Sequence, residues 1–293
     1  MNIYGPNISE KYSYNKALIK FIDDCTKYVS KLPDFSKYCV WRYTIGSASI
    51  NTLLIFNKVS DNSPYWTYLF FRYWNNTYFK SGSVVPQPFT KWKDYFTNPD
   101  SFNKLPKDKQ IKIAGGIINE YIKLLQQIIL KAPKTSDSFK VYKVSSKYPA
   151  LPDATIDKNE LPIGVLQQPF NSVTITPNFN FAPFISPIAD CCLFNIEIPK
   201  GSSCLYVSPD YHAYPFEHEI ILPFNCIFVV NDIKREILNY INKDIVNIEA
   251  VQDINKIRMG PVYTVNQYFP CGNGQCVIWQ KPFVTYYCNY SNP

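Results

Sequence analysis

At 293 residues, with 46% hydrophobic and 18% charged side chains, the chain can bury a substantial core and is too apolar to be a disordered tail. A net charge of +7 comes from scattered lysines with no run of five, which suits a small anionic ligand and makes nucleic acid an unexpected partner. The N-terminus "MNIYGPNISEKYSYNK" has no apolar h-region, and no stretch has the length of a membrane helix, so a cytoplasmic protein without membrane contact is expected, acting in its own cell or a host's.

The nine cysteines are an odd number, and several sit in apolar runs such as "ADCCLFNI" and "PFNCIFVV", where a buried free thiol is the simplest reading. "CGNGQC" at 271–276 reads as a hairpin carrying thiols, with a hairpin closed by a disulfide or half of a metal site as the alternatives. No histidine or second cysteine pair at zinc spacing accompanies it, so no metal is expected. The preference for Lys, Asn, Ile, Tyr and Phe is that of an AT-rich coding sequence, which suits a large DNA virus or an intracellular microbe.

In chain order, "NKALIKFIDDCTKYVSKL" comes first. Its apolar residues Ala17, Leu18, Phe21, Ile22, Cys25 and Val29 recur with a 3.6-residue period, which predicts a helix. "SASINTLLIFNKV" predicts a second, with Ser47 or Ser49 placed to cap it. The aromatic, proline-rich text from Asp61 to Pro106 reads as a loop-rich insertion. "PKDKQIKIAGGIINEYIKLLQQIILKA" then predicts a long amphipathic helix ending near Ala132-Pro133.

After Lys134 short β-type runs take over: "SFKVYKVS", "FNSVTIT", "CCLFNIEI", "SCLYVS", "HEIILP", "CIFVV", "GPVYTV" and "QCVIW", punctuated by Pro, Gly, Asn and Asp. Helices followed by strands predict an α+β fold. Residues 1–293 read as a single domain, with a mainly helical portion over 1–135 and a mainly β portion over 136–293. The 133–138 stretch reads as a hinge between the two, because the long helix must bury its apolar face on the strands that follow.

"EHEIILP", Glu217 to Pro223, places two acids around a histidine ahead of an aliphatic strand. Strand alternation would send Glu217 and Glu219 to one face and His218 to the other. This motif resembles the acid-x-acid signature of the ADP-ribosyltransferase family. Other resemblances fall in the family's order. "RYTIGSASINTLL" is similar to its Tyr-Thr, Gly-Ser and Ile-Asn pattern, and "LLQQIILKAPKTSDSFKVYKV" to its long helix, Ala-Pro linker and first strand. "FNSVTITP" is similar to its Ser-Thr-Ser strand, and "NIEIPKGSSCLYVSP" to the strand, Pro-Lys-Gly turn and strand before the catalytic loop. The likeness is to the toxin-type, Arg-Ser-Glu class of mono-ADP-ribosyltransferases. It spans most of the chain except 61–106 and the tail beyond about residue 230.

The resemblance implies a helical N-terminal portion packed on a two-sheet β-sandwich, with NAD as substrate in the cleft of the β portion. It also implies transfer of ADP-ribose to an arginine of a protein. Glu219 would stabilise the oxocarbenium-like charge on the ribose, and Glu217 would orient or deprotonate the acceptor. A glutamate at 217, rather than glutamine, goes with arginine as acceptor. Ser172, with Thr174 on the same face, would hold the glutamate and the nicotinamide; Val173 would pack on the other side. Lys143 stands where the family has arginine and would give the NAD phosphates a point charge without a bidentate grip. Phe181 and Phe184 fall where a loop over nicotinamide lies, with core packing the alternative. Tyr211, Tyr214 and Phe216 would face the protein substrate. His212 reads as a surface histidine, with acid–base work the alternative, and His218 as structural. Lys143, Val144 and Val173 also leave open a catalytically inactive protein of this fold serving as a binding module. An NAD glycohydrolase, with water as acceptor, is a close variant.

Overall fold

The computed structural model describes residues 16–77, 82–146, 163–167, 169–175, 191–238, 241–248 and 284–291. The runs "GPVYTV" and "QCVIW", the "CGNGQC" hairpin, and Phe181 and Phe184 lie outside the described residues.

Helix α1 (Lys16–Ser30) buries Leu18, Phe21, Ile22, Cys25 and Val29, the apolar stripe legible in its sequence. Its Phe21 ring meets Phe139 of the first strand at 5.4 Å. Helix α2 (Asp34–Ile45) has no one-sided stripe to betray it, because it is buried around most of its circumference through Phe35, Tyr38, Cys39, Val40, Arg42 and Tyr43. Helix α3 (Ala48–Phe56) starts after Ser47, whose side chain makes no capping hydrogen bond.

Most of the described residues between 61 and 106 are helical, which corrects the expectation of a loop-rich stretch. They form α4 (Ser63–Thr77), a 3₁₀ turn at Phe89–Trp92, α5 (Lys93–Thr97) and α6 (Pro99–Asn103). Two physical reasons explain the difference. Trp66, Phe70 and Trp74 recur every four residues, so the aromatic text is a helical stripe. Pro64 and Pro99 sit in the first turn of their helices, where the missing N–H costs nothing. The stripe is core rather than surface: Phe35 packs against Phe89 at 4.7 Å and Trp74 at 4.9 Å, and Phe71 against Phe96 at 4.7 Å.

Helix α7 (Lys107–Lys131) runs the length of this aromatic core and buries Ile117, Ile118, Tyr121, Leu125, Ile128 and Ile129. Its paired glycines permit close approach: a Cβ on Gly115 would come within 2.9 Å of Val59, and one on Gly116 within 2.8 Å of Trp92. Pro133 ends the helix by forcing Ala132 into an extended conformation. The following Thr135 is bonded on both sides to the Pro199-Lys200-Gly201 turn, with its N–H to Ser202 O and its carbonyl accepting from Gly201 N. Gly201 takes φ +83°, the left-handed region that favours glycine.

The strands are β1 (Phe139–Ser146), β2 (Ile163–Gln167), β3 (Asn171–Thr174), β4 (Cys191–Ile198), β5 (Leu205–Tyr206), β6 (Glu219–Leu222), β7 (Cys226–Leu238), β8 (Ile241–Ile248) and β9 (Val284–Ser291). Among the described residues they form one hydrogen-bonded series, in the order β2-β7-β8-β4-β1-β3-β6-β5, with β9 paired to β4 and β7. Pairing is antiparallel except where β4 meets β8 and β9. A helical N-terminal portion on a largely antiparallel sheet is the α+β arrangement expected, and the described strands join in one hydrogen-bonded series. Phe170, Leu205, Val207 and Ile221 join the sheet to the aromatic helical core. No helix among the described residues is long and apolar enough to cross a membrane.

Candidate active site

The short strands β3 and β6 lie side by side, with Thr174 opposite Glu219 and Ser172 opposite Ile221. Facing residues of a ladder share a face, so Ser172, Thr174 and Glu219 are on one side of this part of the sheet. The two glutamates do not come together by strand alternation, as the sequence suggests. Glu217 closes a 3₁₀ turn (Pro215–Glu217), His218 takes the left-handed region at φ +46°, and only Glu219 belongs to the strand. The Thr174 hydroxyl fastens this turn by donating to the Glu217 carbonyl at 2.6 Å.

His212, read from the sequence as a surface residue, is buried at 6% exposure and sits at the centre of the pair. Its Nε2 lies 2.6 Å from Glu219 Oε2 and 3.8 Å from Glu217 Oε2. Its Nδ1 accepts the backbone N–H of Tyr214 at 2.8 Å. No local pattern marks His212, because its burial depends on the loop folding back against α2. There the Thr44 hydroxyl accepts the Ala213 N–H at 2.9 Å.

Burial, and then the charge of Glu219, push the Glu217 carboxyl up to about 7, with His212 pulling the other way. Glu219 is itself only 4% exposed. A buried carboxylate of this kind needs hydrogen-bond donors, and His212 Nε2 lies within hydrogen-bond distance of it. His212, Glu217 and Glu219 each offer a ligand atom within 4.8 Å of the others, a spacing compatible with a metal ion. A metal on Nε2 would place the imidazole proton on Nδ1, opposite the Tyr214 N–H that already donates there. The hydrogen-bonded arrangement and a metal site are therefore mutually exclusive.

The Tyr43 phenol is buried on the helical side of this site, within hydrogen-bonding reach of Ser172, Asn51 and Ser47. Burial and the charge of Glu219 raise the Tyr43 phenol well above its ordinary value, and the adjacent Ser172, Asn51 and Ser47 side chains offset part of the shift. The sequence resemblance drew attention to the segment holding Tyr43 and Asn51 without assigning either residue to the site.

The remaining assigned residues are dispersed. Lys143 does not join Glu219: Tyr142 pairs with Thr174, so Lys143 faces the other side, where its Nζ donates to Asn171 Oδ1. Val173 is buried on that side as well. Tyr211 packs partly buried against the helical core, with Lys37 Nζ 5.9 Å from its ring centre. Tyr214 is 39% exposed at the rim of the loop, and Phe216 belongs to the turn that ends at Glu217. His218 Nδ1 lies 3.5 Å from the Tyr206 hydroxyl. Cys25, Cys39, Cys204 and Cys226 are free and buried.

The two carboxylates are thus presented on an α+β frame by a loop and by the strand it leads into. The protein-family model described as ADP-ribosyltransferase exoenzyme matches residues 93–253, and the chain belongs to that family. Solved structures to which it is similar include Plx2a, an ADP-ribosyltransferase toxin from Paenibacillus larvae (16% identity, 80% of this chain and 93% of that one, TM-score 0.45). They also include C3stau2 from S. aureus with NAD (17% identity, 84% and 96%, TM-score 0.45). A third is the ADP-ribosyltransferase Vis from Vibrio splendidus in complex with agmatine (16% identity, 90% and 94%, TM-score 0.45). No curated protein sequence matches the chain.

Proposed function

We propose that the protein is a mono-ADP-ribosyltransferase that moves ADP-ribose from NAD to an arginine side chain of another protein. The observation that carries this reading is the buried Glu219 carboxylate, held by His212 and flanked by Glu217, inside the segment that matches the family. Cleavage of the nicotinamide–ribose bond sends the bonding electron pair out with nicotinamide and leaves an oxocarbenium-like ribose. A fixed carboxylate in a water-poor site stabilises that charge, which is the role of Glu219. Glu217 takes the proton that the attacking guanidinium must lose, a task suited to a carboxyl poised near neutrality.

In this reading Ser172 and Thr174 support the nicotinamide side. Lys143 adds positive charge for the phosphates, Phe184 covers the nicotinamide, and Tyr211, Tyr214 and Phe216 meet the protein acceptor. The chain acts as one domain, its β portion dividing into two sheets around NAD.

The test is incubation with NAD labelled on the adenylate and agmatine as acceptor, with Glu219→Gln beside the wild type. Label transfer that falls by about 10²-fold or more in the variant supports the reading, since that is the scale on which one electrostatic stabiliser acts. Nicotinamide release without transfer points to water as acceptor. No turnover together with no NAD binding by calorimetry overturns the proposal and leaves the fold as a binding module.

A further inference from the structure

We propose that His212 is a positioning residue for Glu219, held in a single neutral tautomer by the loop backbone and using its Nε2–H to fix the carboxylate that faces the ribose. The role in catalysis rests on the activity proposed above; the hydrogen-bonded pair itself does not.

The tautomer follows from two contacts. A ring nitrogen that accepts a backbone N–H carries a lone pair, and His212 Nδ1 accepts from Tyr214 at 2.8 Å. In the neutral imidazole the proton then sits on Nε2, which points at Glu219 Oε2 across 2.6 Å. The ring has little freedom to leave this arrangement. Its side chain is 1% exposed, and the loop on its C-terminal side is tied to helix α2 through Ala213 and Thr44.

Two carboxyls this close compete for one proton. Burial first, and then the charge of Glu219, raise the Glu217 carboxyl, while His212 acts in the opposite direction. Among the described residues, no lysine or arginine comes within 4.0 Å of either carboxylate, so His212 is their one basic neighbour at that range. One Glu219 oxygen is thus occupied and oriented, and the other is left for a ribose hydroxyl. His212 touches neither NAD nor acceptor in this account and acts through Glu219.

The chain has two histidines, so ¹⁵N spectroscopy of the imidazoles resolves His212 directly in the intact protein. The expected result is a protonated Nε2 and an unprotonated Nδ1 for His212, perturbed by Glu219→Gln. Nδ1–H or a tautomer mixture overturns the proposal whatever the activity. In nicotinamide-release kinetics, His212→Ala is expected to lower kcat by about 100-fold, the cost of a reacting group misplaced by about an ångström, with KM for NAD unchanged within about threefold. His212→Gln, whose amide N–H can still reach Glu219, is expected to recover about tenfold of that loss. A merely structural histidine would lower the melting temperature and leave kcat of the folded fraction intact in both variants, and that outcome also overturns it. If the wild type releases no nicotinamide, the activity reading falls, while the tautomer still decides whether His212 holds Glu219.

Discussion

The Thr44 hydroxyl accepts the backbone N–H of Ala213 at 2.9 Å across 169 positions of sequence, and donates in turn to the Trp41 carbonyl at 2.7 Å. This hydroxyl fastens the loop that carries His212 to the end of helix α2, so the helical portion positions the carboxylate pair without contributing to it.

Thr44→Val keeps the shape and removes the acceptor, leaving the Ala213 N–H unpaired. The expected cost is about 1–3 kcal/mol of stability, read by denaturant unfolding. Nicotinamide release is expected to fall as well, because His212 adjoins the freed loop. Thr44→Ser retains the hydroxyl and should recover most of both.

The raised Glu217 carboxyl makes stability depend on pH with a definite sign. Its value is near 7 in the folded protein against 4.5 for the free group, so between these limits the native state holds a proton that the unfolded chain has released. Stability contributed by Glu217 therefore falls as pH rises from about 4.5 to about 7 and is level beyond. Glu217→Gln should flatten that part of the profile, as read by denaturant unfolding at a series of pH values. If Glu217 is the acceptor's base, transfer to agmatine should rise through the same region near pH 7, and nicotinamide release should not rise with it.

The segment from 61 to 106 is expected to behave as core. Phe70 is fully buried and contacts Phe35, Tyr38, Trp66, Phe71, Phe89, Phe96 and Tyr121. Phe70→Ala should cost about 3–5 kcal/mol, the range for a large side chain lost from a tight core. A loss below about 1 kcal/mol in denaturant titration would mark the segment as peripheral.

Lys143 faces Asn171, away from Glu219, and can act on NAD phosphates only as a charge at a distance. Lys143→Ala should weaken NAD binding by calorimetry no more than about fivefold, equivalent to about 1 kcal/mol. The same variant should lower stability, because the buried Asn171 carbonyl oxygen loses its donor. A loss of 100-fold or more in affinity would mean that β1 presents Lys143 to NAD directly.

What the sequence determined by itself is what depends on neighbours along the chain. The period of Lys16–Ser30 and Lys107–Lys131, the Ala132-Pro133 stop and six of the nine described strands after Lys134 were legible because each is a local preference, while β2, β8 and β9 were not among the runs read. So was the family order ending in Glu217 and Glu219, since motifs keep their order whatever the loops between them do. The helices over 61–106 were within reach too: the four-residue recurrence of Trp66, Phe70 and Trp74 is in the text, but their prolines were read as breakers rather than starts. Only the tertiary structure decided that His212 is buried against Glu219, that Glu217 arrives by a turn rather than a strand, and that Lys143 faces away. Burial and strand register are set by packing between segments far apart in sequence, Thr44 on Ala213 and Tyr142 beside Thr174, and no window of neighbouring residues encodes them.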